Sequence, residues 1–64
     1  MRTKLAQMIE EAVEDCITFG RGRSYDESSK FEVVAEWTEG EDEIEITVKE
    51  SYIIRFTYTE KVDC

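Results

Sequence analysis

One change of hydrophobic period constrains this chain more than any other feature. Leu5, Met8, Ile9, Ala12, Val13, Cys16 and Ile17 recur three and four residues apart, and every later apolar run alternates instead. Spacings of three and four place side chains on one stripe of a helix, while period two places them on one face of a strand. The first pattern predicts a helix over residues 3–19, with Thr3 as N-cap and Gly20 as a left-handed C-cap. Residues 20–29 hold two glycines and three serines with no hydrophobic period, and read as a loop. Three strands follow. Phe31, Val33, Ala35 and Trp37 alternate over 31–37; Ile44, Ile46 and Val48 over 43–49; Tyr52, Ile54, Phe56 and Tyr58 over 52–59. Thr38-Glu39-Gly40-Glu41-Asp42 makes the first reversal. Glu50-Ser51 makes a tight second one without the Asn-Gly pair such turns favour.

The lengths match. A helix of this size is about 25 Å long, an eight-residue strand about 26 Å, and three strands are spanned by the ~10 Å width of one helix. The expected fold is therefore α+β in two layers: one N-terminal helix on a three-stranded antiparallel meander, αβββ, with residues 1–64 forming a single domain.

With 64 residues the core is thin, since a chain this short buries only about 60% of its unfolded surface. A large enclosed active-site cavity is not expected. The formal charge is −8, from sixteen acids and eight bases, which opposes direct binding to nucleic acid or anionic lipid and favours a basic protein partner. The absence of histidine excludes His-based catalysis and His-containing zinc fingers. No apolar run approaches a membrane span, and Glu10, Glu11, Glu14 and Asp15 interrupt any signal-peptide core, so the expected location is cytoplasmic. Cys16 falls on the apolar helix stripe and reads as a small buried hydrophobe; Cys64 is terminal, and a bond between the two is not expected.

Alternation fixes an outer sheet face of Glu32, Val34, Glu36, Glu43, Glu45, Thr47, Lys49, Ile53, Arg55 and Thr57. With Glu39, Glu41 and Asp42 in the turn, seven acids lie within residues 32–45 and no Lys or Arg is among them. Such a block either keeps an open sheet face soluble or forms a recognition surface. Acids two apart on a strand project about 6.6 Å apart, near the spacing of phosphates along a nucleic-acid strand. Residues 52–59 carry one charge in eight, so the third strand is a bare edge suited to self-pairing or to a covering partner.

Other motifs carry less. Gly20-Arg21-Gly22 follows a helix where a phosphate loop would open one. Glu41-Asp42-Glu43 lacks the ordered spacing of a calcium loop, so neither metal nor cofactor is expected. Carboxylates on a flat exposed sheet lack the desolvation that separates their pKa values for acid–base work. Trp37 points inward as core or stands at the rim as an interface anchor, and Tyr25 is a second anchor candidate.

The order of one helix and then strands resembles the core of double-stranded RNA-binding domains, without their second helix or basic contact residues, and implies no shared function. In size and charge the chain is similar to small acidic phage proteins that inhibit nucleic-acid enzymes. The leading expectation is a non-enzymatic nucleic-acid mimic that inhibits a DNA- or RNA-binding protein, using Glu32, Glu36, Glu39, Glu41, Asp42, Glu43 and Glu45 as phosphate substitutes and Trp37 as apolar contact. The alternative is a small structural or regulatory subunit that forms a homodimer or joins an assembly through Ile53, Arg55 and Thr57.

Overall fold

The computed structural model describes residues 3–62; Cys64 lies outside that range. The chain runs α1 (Lys4–Phe19), β1 (Arg21–Asp26), β2 (Phe31–Trp37), β3 (Glu43–Glu50) and β4 (Ile53–Lys61). All four strands form one antiparallel meander in the order β1-β2-β3-β4. The α+β class and its two layers are as expected, but the sheet has four strands and not three.

The helix begins and ends where its caps require. The Thr3 hydroxyl accepts from the Ala6 amide at 3.1 Å, which satisfies one of the free donors of the first turn. Gly20 takes a left-handed conformation at φ 96°, and its amide reaches the Cys16 carbonyl at 2.9 Å.

Residues 21–26, expected as loop, are β1. Gly22, Ser24 and Asp26 pair with Ala35, Val33 and Phe31 on the face toward the helix, while Arg21, Arg23 and Tyr25 point away. The alternation is therefore one of size. Small residues face the helix because the helix lies very close there. A Cβ placed on Gly22 would sit 1.8 Å from the Ala12 carbonyl oxygen. Ala12 and Gly22 are both buried, and the contact is backbone on backbone. Ser24 adds a 3.4 Å hydrogen bond to Glu11 on the same side.

The core is Met8, Ala12 and Cys16 from α1, Val33 and Ala35 from β2, and Ile44, Ile46 and Val48 from β3. Leu5, Ile9, Val13, Phe31, Trp37 and Val62 pack around it, partly buried. The half-buried Trp37 donates its indole N–H to the Cys16 carbonyl at 3.1 Å and so ties β2 to the helix end.

Both tight turns use left-handed backbone. In the β1–β2 turn Lys30 has φ 64°, and its amide donates to the Asp26 carbonyl at 2.8 Å. Asp26 Oδ2 accepts from the Ser29 hydroxyl at 2.6 Å, the Ser29 amide at 3.2 Å and the Ser28 hydroxyl at 3.2 Å. The Ser29 hydroxyl bond is the main cause of a carboxyl held below its ordinary 3.8. In the β3–β4 turn Ser51 and Tyr52 have φ 50° and 71°, as a type I′ hairpin turn requires. Tyr52, expected as an inward strand residue, thus stands in the turn and is 94% exposed. A bulge between Val48 and Lys49 then places Ile54 opposite Lys49 and Ile53 opposite Glu50. It exchanges the two isoleucines: Ile54 shares the outer face with Lys49, and Ile53, expected outward, shares the helix-side face with Glu50.

Two outcomes follow from these contacts. Gly22→Ala forces the helix off β1, and the expected loss is about 3 kcal/mol, read as a lower urea midpoint; an unchanged midpoint would show that the helix does not rest there. Asp26 has a lowered folded-state pKa, so its contribution is complete above 3.8 and fades as pH falls through the lower folded value. Asp26→Asn should therefore be the less stable protein at neutral pH and lose less stability on acidification, measured by thermal melts across the acid range.

Candidate protein-binding surface

The acids singled out from the sequence do not form an unbroken field. On the outer face Arg21 pairs in register with Glu36, Arg23 forms an ion pair with Glu32, Lys49 stands opposite Glu32, and Lys61 opposite Glu43. Arg21 and Arg23 sit in a segment that reads as loop from sequence, and as β1 they come to lie beside Glu36 and Glu32. Arg23 also lies over the Tyr25 ring, 6.0 Å from its centroid. One like-charge contact remains: Glu36 is directly opposite Glu45, a placement that costs stability. Glu39, Glu41 and Asp42 are exposed in the β2–β3 turn. Asp42 also accepts the Val62 amide on its backbone carbonyl at 3.3 Å. Trp37 stands at the same end of the sheet but is committed to the helix through its indole N–H.

β4 is a different kind of surface. All nine of its residues are exposed. Ile53 is 64% exposed, Phe56 45% and Tyr58 37%, although register places all three on the helix-side face. The cause is the position of the helix. α1 lies over β1 and β2, touches β3 slightly, and does not reach β4. Phe56 and Tyr58 stack on each other with ring centroids 6.1 Å apart and planes at 26°. Partial burial, and then the Glu60 carboxylate, push the Tyr58 phenol above its ordinary 10.0. On the opposite face Thr57 contacts Thr47 at 3.5 Å; Arg55, at the bulge, reaches Glu50 at 3.7 Å.

Between the helix and this bare strand runs a groove of about 240 Å³, lined by Ala6, Ile9, Glu10, Val13, Glu14 and Glu60. Ile9 and Val13 supply apolar wall, and Ile17, 52% exposed, continues the same helix stripe. The sequence signal for this groove is the breadth of the stripe: seven apolar helix positions, of which only Met8, Ala12 and Cys16 are buried. Glu60 carries no local sequence signal of a site, and alternation places Phe56 and Tyr58 in the core. A second hollow at the other end of the sheet is lined by Tyr25, Lys30, Glu32, Ser51 and Tyr52.

The Cys16 thiol is buried, and desolvation followed by the Glu36 charge raises its pKa, which disfavours the nucleophilic thiolate. Among the described residues no three Cys, Asp or Glu side chains converge as metal ligands. Among the described residues no helix is long and apolar enough to cross a membrane.

The facing glutamates give a direct check on the outer-face electrostatics. Glu45→Lys replaces a repulsion with Glu36 by an attraction, and the expected result is a gain of about 0.5 kcal/mol in chemical denaturation, reduced by salt; a loss of stability would place Glu45 in some other interaction. Comparisons with protein-family models, with curated proteins and with solved structures gave no match.

Proposed function

We propose that this chain is a non-enzymatic protein-binding module that joins a partner protein through β4. The observation that carries this reading is the exposure of Ile53, Phe56 and Tyr58 on the helix-side face of a sheet that buries Val33, Ala35, Ile44, Ile46 and Val48 on the same face of β2 and β3. Apolar side chains left together on the core side of an edge strand expose surface that soluble domains otherwise cover. Aromatic residues at such a place are the usual anchors of protein interfaces. The partner supplies the missing cover.

Nucleic-acid mimicry through Glu32, Glu36, Glu43 and Glu45 is the weaker reading. Arg21, Arg23, Lys49 and Lys61 stand beside or opposite three of those four acids, and only the Glu36–Glu45 contact favours it. The two readings separate by mutation and by salt. Tagged protein is used to capture partners from a lysate, next to Ile53→Lys/Phe56→Lys and Glu43→Lys/Glu45→Lys. A partner retained by the glutamate variant, lost by the β4 variant and stable to a high-salt wash supports the β4 reading. A partner lost by the glutamate variant, kept by the β4 variant and released by salt overturns it in favour of mimicry. Circular dichroism confirms that each variant retains its helix.

A further inference from the structure

We propose that the groove between α1 and β4 seats one amphipathic helix of the partner protein, apolar on its buried side and rich in lysine or arginine along its flanks. This occupant presupposes that β4 is the binding surface, as proposed above, and names what lies on it.

The width of the gap selects a helix. α1 lies over β1 and β2 and leaves β4 bare. From β2 to β4 is two strand spacings, about 10 Å, and a helix with its side chains is about 10–12 Å across. One further helix beside α1 therefore completes the layer over the sheet. The wall is already cut for it. Ala6, Ile9 and Val13 line the groove on the side of α1 toward β4, Ile17 continues their stripe, and Ile53, Phe56 and Tyr58 lie exposed on the helix-side face of β4. From Ala6 to Ile17 the helix rises about 17 Å, or three turns. A visiting helix would meet this length with apolar residues at i, i+3 or i+4, and i+7.

Charge selects the kind of helix. Among the described residues, the side chains that line the groove include the carboxylates of Glu14 on the helix and Glu60 on the strand and no cation. A carboxylate rim on both banks fits a helix with basic residues on both flanks. The same rim disfavours a second copy of this chain. Each copy carries −8, and its own helix bears Glu10, Glu11, Glu14 and Asp15, so mutual docking would press acids on acids.

The test uses the full chain, labelled with ¹⁵N, titrated with a designed peptide of about 18 residues with a leucine stripe and lysine flanks. A control peptide keeps the stripe and carries glutamate flanks. The lysine peptide is expected to saturate and to shift the amides of Ala6, Ile9, Val13, Phe56, Tyr58 and Glu60, leaving Val34 and Thr47 unmoved. The glutamate peptide is expected not to bind. Glu14→Lys/Glu60→Lys, both at exposed positions, should weaken the lysine peptide about tenfold, and Glu43→Lys/Glu45→Lys should leave it unchanged. Shifts confined to the outer face, equal binding of both peptides, or no saturable binding would overturn the helix occupant. A concentration-dependent dimer that protects Phe56 and Tyr58 would overturn it as well, with a second copy as the occupant. If the peptide fails while Ile53→Lys/Phe56→Lys still loses its captured partner, only the helix is wrong. If that variant keeps its partner too, β4 is not the binding surface.

Discussion

The backbone contact between Ala12 and Gly22 sets the arrangement of everything else. Only glycine lets the helix come this near to β1, since a Cβ at residue 22 would meet the Ala12 carbonyl at 1.8 Å. The turn at Gly20 leaves no slack: the helix ends at Phe19, and β1 starts at Arg21. The first strand must therefore run back beneath the helix that precedes it. Once α1 is held over β1 and β2, a helix about 10 Å wide cannot also cover β4. The bare strand is a consequence of where the helix is anchored and of there being a fourth strand.

The two faces of the sheet then differ in kind. The outer face is polar and interleaved, with cations from β1, β3 and β4 set against the glutamates of β2 and β3. Its charges partly compensate one another, apart from Glu36 and Glu45. The inner face is apolar over its centre, buried at Val33 and Ala35 and at Ile44, Ile46 and Val48 and open at Ile53, Phe56 and Tyr58, with Ser24, Asp26, Glu50 and Glu60 at its margins. Much of the net acid charge lies elsewhere, on the helix at Glu10, Glu11, Glu14 and Asp15 and in the turn at Glu39, Glu41 and Asp42. The helix acids that flank the groove and the apolar residues within it are neighbours.

The sequence carried the helix, its two caps and the β2–β3 hairpin in plain form, because hydrophobic alternation and capping residues are local signals. β1 was hidden because its inner residues, Gly22, Ser24 and Asp26, alternate with Arg21, Arg23 and Tyr25 in size and not in hydrophobicity. That pattern has meaning only once the helix is known to sit against it. The bulge at β4 was hidden for a similar reason: Ile53 and Ile54 are both apolar, so alternation alone does not tell which of them faces inward. The acidic block looked isolated because its nearest cations were assigned to a loop, and Phe56 and Tyr58 looked buried because three strands fit beneath one helix and four do not. The bare edge character of the last strand was legible directly from its single charge in residues 52–59.

The most direct test of this account is a set of nuclear Overhauser contacts on the isolated protein at low concentration. Strong contacts are expected between the Gly22 and Ala12 α-protons and from Met8 and Cys16 to Val33 and Ala35, with none from α1 to the Phe56 ring. Contacts from Ile9 or Val13 to the Phe56 ring, with Gly22 remote from Ala12, would place the helix over β3 and β4 and contradict it.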